Sequence, residues 1–177
     1  VQGAQHRWQG QAEIISLPRN RFLLTYGPSS SLESCEEVKR LLPMGAHVLC
    51  IEMATGTGMT GLAHFTSKSS ASLLLVDRAS LRSHTPEDIV KFVTQTGTTG
   101  GTEVHILGRE DVAAHATQSL CVRGTVHIPA GASTQLRGHM ARLGFQSLVV
   151  DVSALFGTAG GGPRALCNEW TGFVLSD

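Results

Sequence analysis

Towards its end the 177-residue chain runs Gly160, Gly161, Gly162, Pro163, Arg164, Ala165, Leu166, Cys167: a glycine run leading into a short apolar segment that carries a thiol. Consecutive glycines admit positive φ and a close approach of backbone to a ligand or a neighbouring strand, so a chain can present a reactive group there. A thiolate at such a bend is a nucleophile, and chemistry at it needs a positioned base to move protons. Cys167 is the thiol of this segment.

The other reactive side chains are dispersed. Cys35, Cys50, Cys121 and Cys167 form neither a Cys-x-x-Cys pair nor a compact Cys/His cluster, so no metal or other cofactor is expected. Cys50 and Cys121 fall in apolar strand-like runs and read as small buried hydrophobes. This usage of cysteine fits a reducing intracellular or organellar compartment. His47, His105, His115, His127 and His139 lie on different elements without ligand spacing. With 14 basic and 14 acidic side chains the chain is neutral, which argues against broad nucleic-acid binding. No apolar run approaches the roughly 20 residues of a membrane-spanning helix, and no secretory signal pattern is visible. The first residue, Val1, is compatible with removal of a targeting segment.

The elements that would position these groups recur in one order. Residues 12–17 and 22–26 read as strands joined at Pro18, Arg19 and Asn20. Residues 31–42 read as a helix capped by Ser31, with Leu32, Cys35, Val38, Leu41 and Leu42 at helical spacing and Pro43 closing it. Residues 46–52 then form a strand. The same β, β, α, β order returns with strands at 60–65 and 72–77, a helix at 85–94 opened by Pro86, and a strand at 103–107. A third round offers a short helix at 110–116, strands at 119–122 and 125–128, a helix at 133–143 and a strand at 146–150. Helices starting near Ser31, Thr85 and Ser133 give a repeat of roughly 50 residues, the period of repeated supersecondary units.

Several local patterns then resemble one family, the pentein superfamily of amidinotransferases, arginine deiminases and dimethylarginine dimethylaminohydrolase. Trp8-Gln9-Gly10-Gln11-Ala12-Glu13 is similar to its aromatic-Glu-Gly-x-x-Asp motif, and Arg21-Phe22-Leu23-Leu24-Thr25-Tyr26-Gly27 to the strand that follows. Ser133-Thr134-Gln135-Leu136-Arg137-Gly138 and Leu143-Gly144-Phe145-Gln146 resemble its last helix and strand, and the terminal glycine run resembles its Gly-Gly-Gly-x-x-Cys motif. The resemblance implies an α/β propeller of ββαβ units, of which this chain holds about three of five, as one domain over 1–177 with amino-terminal units missing from it.

Family chemistry implies a nucleophilic cysteine, a His-x-Asp pair and amino-terminal carboxylates. Here Ala165 stands at the nucleophile position, Met59 and Gly61 at the His-x-Asp positions, Gln9 at the Glu position and Glu13 at the Asp position. The resemblance therefore implies a pseudoenzyme. Its expected role is a scaffold or binding subunit, similar in kind to the catalytically empty pentein subunit of the kinetoplastid mitochondrial RNA-editing substrate-binding complex. That likeness implies a mitochondrial location, partnership with other protein subunits, and RNA contact that is indirect or weak. No membrane and no small guanidino ligand are expected.

Three alternatives remain open from the residues. Cys167 with His64 could support a displaced guanidino-compound hydrolase or amidinotransferase, although two residues along a strand move a sulfur by roughly 6 to 7 Å while reacting atoms are held about 3 to 3.5 Å apart. Glu13, with Arg164, could line a pocket that still holds a cation without cleaving it. Gly56-Thr57-Gly58-Met59-Thr60-Gly61 with Asp77 resembles the glycine turn and ribose-binding acid of a Rossmann-like methyltransferase, and that reading requires a helix starting near Met59.

Overall fold

The computed structural model describes residues 8, 10–56, 58–94, 101–154 and 164, without the side chains of 11, 12, 58 and 59. The described residues form three sheets of three strands, each built the same way. In the first, β1 (Ile14–Leu17) pairs antiparallel with β2 (Arg21–Tyr26), helix α1 (Leu32–Leu41) crosses over, and β3 (His47–Glu52) returns parallel to β2. Positive φ at Arg19 and Asn20 makes the hairpin turn between β1 and β2. The second sheet repeats this with β4 (Leu62–Thr66), β5 (Ser72–Val76), α3 (Pro86–Thr94) and β6 (Thr102–Ile106), after the single-turn helix α2 (Gly58–Gly61). In the third, α4 (Arg109–Ala113) leads to β7 (Leu120–Val122), β8 (Thr125–Pro129), α5 (Thr134–Arg142) and β9 (Gln146–Val150). The ββαβ repeat expected from the sequence is therefore present three times.

Local chemistry explains where the helices begin. The Ser31 and Ser133 hydroxyls accept from the backbone N–H groups of Ser34 and Leu136 at 3.3 and 3.0 Å, filling bonds that a first helical turn leaves open. At α3 the Thr85 hydroxyl and the Asp88 carboxylate exchange bonds with each other's backbone N–H, a reciprocal capping box.

The core has two layers. Ile15, Leu17, Leu23 and Ile51 of the first sheet meet Leu62, Leu74 and Val76 of the second, with Ile89 and Val93 of α3 between them. The opposite face of the second sheet, Ala63, Phe65, Leu73 and Leu75, meets Val126 and Ile128 of the third, with Leu136 and Met140 of α5 between. Every residue of β5 is consequently buried. Each of these two helices thus fills the space between its own sheet and the preceding one. Helix α1 takes the matching place on the outer face of the first sheet, burying only Ser34 and Cys35.

Five expectations change. The strand placed at 60–65 starts at Leu62, because Gly58–Gly61 coils into α2 first. The strand placed at 12–17 starts at Ile14, after a 3-10 turn at Gly10–Glu13. The helix placed at 110–116 stops at Ala113, since His115 adopts a left-handed conformation with φ of 55°. The apolar stripe assigned to α1 is split: Cys35 is buried and Val38 and Leu42 are half-buried, but Leu32 is 44% and Leu41 79% exposed, because nothing described packs beyond the α1 layer. Cys50 and Cys121 are half-buried, and among the described residues the fully buried thiol is Cys35.

Candidate functional site

Helix α2 is the point where the units converge. It touches the 3-10 turn Gly10–Glu13 before β1, the 3-10 turn Arg78–Ser80 after β5 and the 3-10 turn Ala116–Gln118 before β7. Two hydrogen bonds to its carbonyls fix the junction: Asp77 N–H donates to the Gly61 carbonyl at 2.8 Å, and the Thr117 hydroxyl to the Thr60 carbonyl at 2.7 Å.

Three of the charged or vacated positions meet at or beside this hub. Glu13 is 1% exposed, and its carboxylate accepts the Thr25 hydroxyl and, at 3.2 Å, the Ser30 hydroxyl. Hydroxyl donors are what a buried anion requires, because an unsolvated charge is costly. Arg164 reaches in from the far end of the chain. Its Nη1 donates to the Leu62 carbonyl at 2.7 Å and to the Thr117 carbonyl at 3.4 Å, so one guanidinium ties the second unit to the third. Gly61 is walled in: a Cβ there would stand 2.5 Å from the Met53 methyl carbon and 2.6 Å from Ser80 Cβ.

That crowding sets a test. Gly61→Ala should destabilise the fold by about 2 kcal/mol, the scale of overpacking a filled site. Chemical unfolding measures it, and an unchanged midpoint would mean the hub has room to spare.

Met59 lies in α2 beside Gly61, with its side chain outside the described residues. Gln9, Ala165 and Cys167 also lie outside the described residues. His64 is on β4, on the face that packs against the first sheet. Its Nε2 is 2.7 Å from the Ser72 hydroxyl, which is 2.9 Å from the Thr102 hydroxyl, and the Ser16 backbone of the first sheet lies close enough to act on the ring. Burial, reinforced by the Arg164 cation, holds its pKa down at about 4, so it is neutral at physiological pH. The ring is an inter-sheet strut there, enclosed by hydroxyl and backbone partners.

The methyltransferase pattern is not realised. It needs a long helix from Met59, whereas α2 is four residues and runs straight into β4. Asp77 is spent on capping, its carboxylate accepting from Ala79 N–H and from the Ser80 hydroxyl. Among the described residues no group of three or more His, Cys, Asp or Glu side chains is placed to hold a metal, and no helix is long and apolar enough to cross a membrane. His105 and His139 stack at 4.6 Å beside Glu103, away from the hub. A surface pocket of about 320 Å³ lies elsewhere, between the end of α4 and the ends of β8 and β9, lined by His115, Pro129, Asp151 and Ser153 among others.

The sequence reading missed Thr25, Ser30 and Thr117. The available signal for Thr25 was a small hydroxyl directly after the apolar run Phe22–Leu24; Ser30 and Thr117 carry no spacing that announces them.

Neither a protein-family model nor a curated protein sequence matches the chain. Solved structures do. The N-terminal domain of ArgZ, an arginine dihydrolase of the cyanobacterial ornithine-ammonia cycle, superposes with a TM-score of 0.73 at 16% identity, over 92% of this chain and 56% of that one. AgrE in complex with L-arginine gives a TM-score of 0.72 at 19% identity, over 92% and 23%. DDAH from Pseudomonas aeruginosa, complexed with citrulline, gives 0.62 at 19%, over 89% and 54%. The chain has the pentein fold. It spans about a quarter of full-length ArgZ, at 23%, and roughly half of the single pentein domains. At such identities the pentein fold is what is shared, and the activities belong to those enzymes.

Proposed function

We propose that this chain is a non-catalytic pentein-fold subunit that works by binding other proteins. The observation that carries the reading is the hub. A guanidinium from the chain itself, that of Arg164, sits on the Leu62 and Thr117 carbonyls, and Gly61 is closed to any side chain by Met53 and Ser80. Proton transfer needs a base within hydrogen-bond reach of its substrate and with a pKa near the working pH. His64, held as a strut between sheets with its pKa near 4, is poorly suited to that part. The substitution of Ala165 for the family's thiol points the same way.

Glu13 supplies a carboxyl group, yet its oxygens are engaged by hydroxyls and it is almost wholly buried. A small cationic ligand would have to displace those donors. The finer reading, a subunit of a mitochondrial RNA-editing complex that touches RNA only indirectly, rests on the sequence resemblance and on the neutral charge balance.

Incubation with arginine, agmatine and methylated arginines should release no citrulline or amine above the blank. Cys167→Ala should behave identically. Turnover that this substitution abolishes would replace the binding reading with a relocated cysteine hydrolase. Affinity purification from the source cells should return partner proteins in stoichiometric amounts, and mitochondrial editing subunits among them would support the finer reading.

A further inference from the structure

We propose that Cys35 and Cys50 form a paired thiol site that closes to an intramolecular disulfide when a hydroperoxide oxidises it. Cys35 lies on α1 and is fully buried, its Sγ 3.5 Å from the Thr25 carbonyl of β2. Cys50 lies on β3, in register with Leu24 on β2. Its strand neighbour Ile51 points into the core between the first and second sheets, with Leu49 packed against that core, so alternation along the strand turns Cys50 to the opposite face, where α1 packs. The two side chains thus face one another between α1 and the sheet, close enough for each to act on the other's ionisation.

The two thiols are not equivalent. The neighbouring Cys35 thiol lowers the Cys50 pKa, and Lys39 adds to that effect, while burial and Glu36 oppose it. The nearness of Cys50, together with burial, raises the Cys35 pKa. Cys50 is also the more accessible of the two. It is therefore the attacking sulfur, as thiolate character and access decide reactivity. Its thiolate attacks one peroxide oxygen, the O–O bond breaks, and the other oxygen leaves with a proton as water or alcohol. The resulting sulfenic acid on Cys50 is attacked by Cys35 sulfur. The S–O bond breaks, the departing hydroxide takes the Cys35 proton as water, and the disulfide remains. Two thiols are oxidised and one peroxide is reduced.

The bridge would fasten α1 to the edge strand of its sheet. Nothing in the spacing of residues 35 and 50 resembles a redox motif, so the site is a product of the fold alone.

The whole chain is treated with hydrogen peroxide, unfolded in excess alkylating agent without reductant, and digested for mass spectrometry. The expected product is a Cys35–Cys50 cross-linked peptide lacking two hydrogens, with Cys121 alkylated and the cross-link reversed by dithiothreitol. Oxidation should raise Tm by roughly 5 to 10 °C, the effect of a loop closure of this length on a chain of this size. Cys50→Ser should remove the Tm shift, and Cys121→Ser should keep both shift and cross-link. Sulfinic acid or an adduct at Cys50 beside a free Cys35, or cross-links solely between molecules, overturns the pairing. So does a cross-linked form whose Tm is unchanged or lower.

Discussion

Leu74→Ala should cost about 4 kcal/mol of folding stability, towards the upper part of the range for buried leucine truncations. Leu74 is 0% exposed on the central strand of the middle sheet, packed against Ile51, Val76 and Ile89 in the layer between the first two sheets. Cavities collapse when neighbouring chains can move inward. Here one wall is a hydrogen-bonded sheet and the other is a sheet with a helix wedged beside it, so little relaxation is available. Calorimetry should show a drop in Tm of roughly 8 to 16 °C. Leu148→Ala, at a residue 53% exposed on β9, should stay within about 0.5 kcal/mol of the parent. Similar losses at both positions would contradict the two-layer core.

His64 should make stability fall steeply with acid. Its pKa is about 4 in the fold, against the ordinary 6.5, with burial as the main cause, the Arg164 cation second, and the Ser16 backbone opposing both. The unfolded chain binds the proton first as pH drops, so the native state loses ground between pH 6.5 and 4 and keeps its full advantage above 6.5. A shift of this size is worth about 3 kcal/mol at most; because His64 is half-buried rather than fully buried, about 2 kcal/mol is expected between pH 7.5 and 4.5. Urea unfolding of the parent and of His64→Gln at both values isolates the contribution from the carboxylates, which titrate in each. The substitution should shrink the pH-dependent loss by about 2 kcal/mol. Parallel profiles would mean that the imidazole is not desolvated.

The ββαβ repeat was legible because its signals are local. From Leu73 to Val76 β5 is an unbroken aliphatic run, as suits a strand buried on both faces, and Ser31, Pro86 and Ser133 mark helix starts through backbone chemistry that each residue carries by itself. The stretch before β4 was misread because Gly56, Gly58 and Gly61 weaken every local preference, leaving neighbours to decide that α2 forms. The hub was only half visible. Glu13 and Arg164 could be singled out by type, but what each would bond to lies across the fold: Arg164 meets carbonyls 102 and 47 residues away. His64 reads as a candidate base in one dimension. Its surroundings, Ser16 on one sheet and Ser72 on another, turn it into a strut.

The placing of the helices gives the molecule a direction. α3 and α5 each lie on the side of their sheet that faces the preceding one, and α1 lies on the corresponding side of the first sheet. One end of the stack is therefore clad in helix. At the other, among the described residues, β7 and β9 offer Val122 and Leu148 with 46% and 53% of their surface open. The ends are complementary rather than alike, so a further unit of the same build can join only head to tail. A copy turned end for end would set helix against helix, or strand against strand, and would lose the interleaved spacing that both core layers share.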